Sequence, residues 1–240
     1  MNNAQTASNA MQLTLPLPAL RPRYDRASFL IAPSNENAWR AANAWLSSEE
    51  PALVICGPQG AGKTHLATII AGDGGAFIDW RAPPPTATAP DVVVFDDLPA
   101  PEPRAFMTTI EEFAAAGKKT ILVGRGHPSE WAMGLKDLRT RLEAIPRATL
   151  HEPDEGLLRA VMSKAFADRQ IMVAPNVIEY AAPRLPRLFT AAQSFAALAD
   201  SEAARRKKKV SVALAREIIE ALVQSRALAL PSEAPEETAL

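Results

Sequence analysis

The sequence has one cysteine, Cys56, and only three histidines, His65, His127 and His151, none with a cysteine or acidic residue at ligand spacing. A lone cysteine rules out an intrachain disulfide, and scattered histidines argue against a structural zinc. No run reaches the roughly 18 to 20 apolar residues that a membrane span requires. Charge of one sign is not in excess either: 26 basic side chains face 27 acidic ones, for a formal net charge of −1. That balance argues against broad electrostatic capture by nucleic acid or an acidic membrane and leaves only local basic patches. The opening "MNNAQTASNA" carries no basic side chain and precedes no long apolar core, so it does not resemble a secretory signal. The expected setting is a reducing cytoplasm.

What is present is an ordinary globular content, 48% apolar and 22% charged over 240 residues, enough for one or two domains with a sizeable core. Prolines at 16, 18 and 22 favour an extended tail over residues 1–22. In "SNENAWRAANAWLSS", Ala38, Ala42, Trp45 and Leu46 share a helical face, with Ser34 or Asn35 as the cap. "PALVICG" then reads as a buried strand and "KTHLATIIAG" as a helix closed by Gly72. Further strands are expected at 76–80, 91–97, 119–124 and near 147–152, with a helix in "EPRAFMTTIEEFAAAG" closed by Gly117. Strands alternating with helices imply an α/β sheet covered on both faces. The link "RAPPPTATAP" (81–90) is expected to be a bare loop because its prolines oppose a helix. From about residue 154 the patterns are helical only. The division is therefore a tail (1–22), an α/β domain (23–153), a small helical domain (154–226) and an acidic tail (227–240).

"GPQGAGKT" at residues 57–64 fits G-x-x-x-x-G-K-[ST] between an apolar run and a helix, the setting of a phosphate-binding loop. Gly57, Pro58, Gly60, Ala61 and Gly62 would let backbone N–H groups curl round phosphates. Lys63 would neutralise the outer phosphates and Thr64 would hold Mg2+. "VVVFDD" supplies carboxylates at a strand end: Asp96 is expected in the metal shell and Asp97 to orient a water. His65, next on the helix, borders this nucleotide site but reads more readily as a packing residue. Cys56 should lie in the core.

The loop, the double aspartate, "LKDLRTRLEA" and "LPRLFTAAQSFAALADSEAARRKKKVSVALAREII" resemble the AAA+ domain of the bacterial replication initiator DnaA, and more closely its short relatives of the Hda family, which inactivate the initiator. The likeness spans residues 20–224. It implies a P-loop AAA+ core with a parallel five-stranded sheet in the order 5-1-4-3-2, a small all-α lid, and ADP or ATP as the cofactor. "YDRASFLIAPSNENAW" is similar to the segment that passes the adenine in that family, which brings Ile31 to the nucleotide. Arg141 matches the arginine finger that enters a neighbouring subunit's nucleotide site, with Arg139 as its near companion. Arg187 matches the second sensor on the lid. At the first-sensor position stands Arg125, a donor-only cation in place of an acceptor, and Asp97 is one methylene shorter than the glutamate of many vigorous ATPases, so intrinsic turnover is expected to be slow or absent.

Two segments of the initiator are expected to have no counterpart here. About fourteen residues after the last expected helix leave no room for a helix-turn-helix origin reader, and the proline-rich link leaves none for helices that engage single-stranded DNA. Sequence-specific DNA binding is therefore not expected. The run "RRKKK" (205–209) reads more readily as a solvated loop than as a phosphate contact.

"QLTLPL" is similar to the peptide with which replication proteins dock on the sliding clamp, the beta subunit of DNA polymerase III, and the Hda family carries such a peptide at its N-terminus. The amide of Gln12 would pair at a pocket rim, Leu13, Leu15 and Leu17 would fill the cavity, and Pro16 would limit the entropy lost. Burial of the leucines contributes about 5 to 8 kcal/mol before ordering costs, so about micromolar affinity is the ceiling for one peptide. A symmetric clamp would strengthen it through two tethered copies. The implied function is a clamp-docked adaptor that speeds hydrolysis of DnaA-bound ATP and so restrains replication initiation near the replisome, with homodimerisation open. An autonomous ATPase of the initiator or helicase-loader type and a nucleoside or nucleotide kinase are the alternatives.

Overall fold

Short, β-branched apolar runs that each stop at a turn become the strands of one parallel sheet, and the segments between them become its covering helices. The computed structural model describes residues 24–98, 102–131 and 134–229, the last seven as backbone. The expected clamp peptide at residues 12–17 and residues 230–240 of the expected acidic tail lie outside them. The strands are β1 (Ala52–Cys56), β2 (Gly75–Phe77), β3 (Val92–Leu98), β4 (Lys119–Gly124) and β5 (Arg147–Thr149), hydrogen-bonded in the order β2-β3-β4-β1-β5. That is the 5-1-4-3-2 sheet. All four pairings are parallel, with Cys56 opposite Gly124 and Val54 opposite Arg147.

Because both faces of such a sheet are covered, its central strands are continuously apolar. One face packs α1 (Glu36–Leu46) and α2 (Lys63–Ala71) against Leu53, Ile55, Ile121 and Val123. The other packs α3 (Pro103–Ala115) and α4 (Lys136–Ala144) through Phe95, Phe106, Phe113 and Leu142. Phe95 sits between Phe106 and Phe113 in two edge-to-face contacts at 6.0 and 5.7 Å. Four helices, α5 (Glu155–Asp168), α6 (Pro175–Ala181), α7 (Phe189–Arg206) and α8 (Val212–Ala229), share a third core built on Met162, Phe166 and Phe195.

Several local expectations are corrected. Leu46 is 41% exposed, while Ala38, Ala42 and Trp45 are buried, because α1 ends there and turns its last residue outward. Asn35 occupies the N-cap position without capping: its side-chain amide instead donates to Leu30 O and its oxygen accepts from Ala32 N, both at 2.8 Å. The second strand covers residues 75–77, not 76–80, since an edge strand has one partner and its pairing with β3 runs out. The link at 81–90 is not bare. A single 3-10 turn (Thr86–Thr88) folds it back so that Ala89 joins Trp80 in the core.

Candidate functional site

In a parallel sheet, every loop that follows a strand leaves from the same edge. Here the loops after β1, β3 and β4 meet on that edge, since Gly124 is paired with Cys56 on one side and Leu98 on the other. The loop after β1 begins at Gly57, where a Cβ would collide with the carbonyl oxygen of Leu150. Gly60 and Gly62 hold φ of +76° and +88°, conformations that side chains resist, and Gly62 opens α2. The first-turn N–H groups of α2 thus head the loop with the positive end of the helix dipole, an arrangement suited to anions.

Lys63 Nζ donates to Pro58 O at 2.7 Å across this loop. Burial pushes its pKa down, Asp96 opposes that, and Arg125 adds to it, so the three charges share one neighbourhood. Thr64 Oγ1 donates to Asp96 Oδ2 at 2.8 Å, and the other carboxylate oxygen accepts from Asp97 N at 2.7 Å. Asp97 has φ of +64°, within a register shift of β3 between Phe95 and Leu98. This bulge leaves Asp97 exposed beside Asp96. Among the described residues no group of three or more His, Cys, Asp or Glu could hold a metal by itself. Thr64 and Asp96 supply two oxygens, which suits a hard cation that takes its remaining ligands from phosphate and water.

His65 faces the segment before α1. Its Nε2 lies 3.1 Å from Asp25 O and 3.2 Å from Ser28 Oγ, and the carbonyl contact requires the ring proton on Nε2. The ring packs on Tyr24 and Phe29 at 5.3 and 5.2 Å, and burial pushes its pKa down. The Asn35 bonds fix the turn that follows this segment and presents Ile31, which is 44% exposed.

On the helical side, Arg187 is exposed and precedes two residues that reach the loop. Leu188 Cδ2 lies 2.6 Å from where a Cβ on Gly60 would stand, and Phe189 lies 3.1 Å from one on Gly62. The start of α7 therefore rests on the loop's glycines and brings Arg187 to its border. Asp154, which caps α5, is held below the usual carboxylate range chiefly by the Leu157 N–H that its side chain accepts from at 2.7 Å.

Arg141 and Arg139 lie apart from this cluster, on α4. Arg141 pairs with Glu111 of α3, and its side chain is 58% exposed. Arg139 bonds Glu143 on its own helix at 3.0 Å. Sequence reading missed the roles of Asn35, Glu111, Leu188 and Phe189. Only Asn35 carried a signal, as an amide ahead of a helix, and it pointed to a cap.

No protein-family profile matches the chain, and no curated protein does. Solved structures do match. Domain III of the Thermotoga maritima replication initiation protein DnaA aligns with a TM-score of 0.73 at 17% identity, over 85% of this chain and 98% of that one. This is the AAA+ fold. The initiator DnaA bound to AMPPCP and single-stranded DNA aligns at 0.62 and 17% identity over 78% and 69% of the two chains. RuvB, the Holliday junction branch migration motor of T. maritima, aligns at 0.61 and 18% over 77% and 67%. No helix among the described residues is long and apolar enough to cross a membrane.

Proposed function

We propose that this chain is a nucleotide-binding adaptor of the Hda type. In this reading it docks on the DNA-loaded sliding clamp through residues 12–17, presents Arg141 to ATP held by DnaA, and lowers replication initiation. The observation that supports it best is the pairing of a furnished phosphate loop with an exposed arginine, Arg141, mounted elsewhere on the same AAA+ core.

Positive-φ glycines, the N-terminus of α2 and Lys63 fit a polyphosphate, and the AMPPCP carried by a structural neighbour supports ADP or ATP as the ligand. Lys63 and the loop N–H groups would hold the phosphates, Thr64 and Asp96 would hold Mg2+, Ile31 would face the base, and Arg187 would close from the lid. Arg125 adds a cation where a water-orienting acceptor would serve hydrolysis, which favours holding a nucleotide over turning it over. Arg141 is planar, always charged and fitted to grip phosphate oxygens with two N–H groups. Supplied to another subunit, such a group accelerates hydrolysis by about 10³ to 10⁵.

Asp97, exposed beside Asp96, favours a second reading as an autonomous ATPase of the initiator or helicase-loader type. That reading requires turnover without DnaA and its loss in Asp97→Asn. The test of the adaptor is hydrolysis of DnaA-bound ATP in the presence of DNA-loaded clamp, comparing the intact chain, Arg141→Ala and a chain lacking residues 12–17. The adaptor requires both altered proteins to lose stimulation, and equal rates for all three overturn it.

A further inference from the structure

The basic run at residues 205–209 is unused by the proposed site, and the structure divides it in two. Arg205 and Arg206 end α7 and bind the carboxylate of Glu202, whose side chain is 11% exposed, at 2.7 and 3.0 Å. Arg206 also reaches Glu217 of α8 at 2.7 Å. Arg206 is thus tied up in joining the two helices, and Arg205 is bound within α7. Lys207, Lys208 and Lys209 are all exposed, and none forms an ion pair with an acidic side chain among the described residues.

The turn that carries the lysines is built firmly. Lys207 N–H donates to Ala204 O at 3.2 Å and Lys208 N–H to Ala203 O at 3.0 Å, the paired bonds of a Schellman helix end. The residue at the left-handed position of that motif is ordinarily glycine, but here it is Lys207 at φ +50°. Val210, 7% exposed, then anchors the chain in the helical core, and Ser211 Oγ accepts from Leu214 N–H to start α8. A lysine tolerated at a strained position, followed by two more on a fixed turn, points to a use for the charge.

We infer that Lys207, Lys208 and Lys209 form a contact for the sugar-phosphate backbone of duplex DNA, without sequence preference. The turn stands at the end of a helix pair, so it offers point charges rather than a groove for an extended acidic peptide. Lysine suits this task, because a flexible ammonium needs no set geometry to meet a phosphate. The chain as a whole is near neutral, so binding would be weak and local, serving to orient a molecule already held near DNA.

Neutralising a phosphate releases counterions, and log K falls against log salt with a slope of about −0.9 per contact, so three lysines give about −2.7. The full chain is titrated against a short fluorescent duplex of mixed sequence over about 50 to 200 mM salt. The comparison is Lys207→Gly/Lys208→Ser/Lys209→Ser, which keeps the helix end intact and should not lower Tm. The expected result is a wild-type slope between about −2 and −3 that flattens to near zero in the variant, with about 10³-fold weaker binding at about 50 mM salt, since each phosphate contact is worth about tenfold there. Lys63→Ala should bind DNA as the wild type does, so failure of the nucleotide reading leaves this inference standing. An unchanged slope in the triple variant, or no duplex binding by the wild type at low salt, overturns it. Loss of binding to polyglutamate with duplex binding retained overturns it equally.

Discussion

Thr64 and Asp96 are joined by a 2.8 Å hydrogen bond that ties the start of α2 to the end of β3. The two oxygens that would share a cation are thus already placed side by side. Hydrogen bonds to a charged group are worth about 1.5 to 3 kcal/mol. Thr64→Val should therefore weaken Mg2+-dependent nucleotide binding by about 10- to 100-fold while leaving the weak Mg2+-free binding nearly unchanged. Titration of a fluorescent ADP analogue with and without Mg2+ checks this, and equal losses under both conditions contradict it.

Arg141 and Arg139 stand two positions apart on α4, so they point to different sides of the helix and have different partners, Glu111 and Glu143. On the adaptor reading proposed above, Arg141→Ala should remove at least about 10³ of any stimulated hydrolysis of DnaA-bound ATP. Arg139→Ala should remove little. Both pairs are largely exposed, so either change should shift stability by no more than about 1 kcal/mol, as read from a denaturant midpoint.

Gly60 is constrained twice, by φ of +76° and by Leu188. Gly60→Ala should cost about 1 to 2 kcal/mol from the left-handed backbone alone, plus the displacement of Leu188. In the double variant Gly60→Ala/Leu188→Ala the second part should be relieved and the first should remain. A denaturation cycle measures the coupling, and strictly additive losses would show that the helical domain does not bear on the loop.

His65 should make the segment at 24–29 sensitive to acid. Its folded pKa lies below the ordinary value, so the unfolded state binds more protons in the interval between the two. The stability it contributes is complete above about pH 6.5, the ordinary histidine value, and is lost as pH falls from there through the folded pKa. The wild type should lose more Tm than His65→Phe over that window, and protection of the Ser28 amide from hydrogen exchange should fall with it. Parallel Tm curves for the two proteins would exclude His65 as the origin.

The parallel sheet and the phosphate loop were legible because each is a local pattern: apolar runs ending in turns, and glycines at fixed offsets before a lysine and a threonine. The face formed by Ala38, Ala42 and Trp45 was legible for the same reason. What escaped was set by contacts distant in sequence. The amide of Asn35 turns back because Leu30 O and Ala32 N are nearer partners than the first turn of α1. Asp97 adopts its positive φ because β3 must shift register beside β4. Nothing in "LPRLF" announces that Leu188 and Phe189 will cover Gly60 and Gly62, nor in "TIEEF" that Glu111 will meet Arg141.

The single cysteine closes β1 inside the sheet, 2% exposed, and is shielded from reagents that modify surface thiols. Gly74 precedes the edge strand β2, at the rim opposite the phosphate loop, and a Cβ there would meet nothing within 4 Å. A cysteine introduced at that position would accept a maleimide dye selectively, with no need to remove the native thiol. The molecule thus arrives almost ready for single-molecule fluorescence, with the reporter on the side that carries no proposed chemistry.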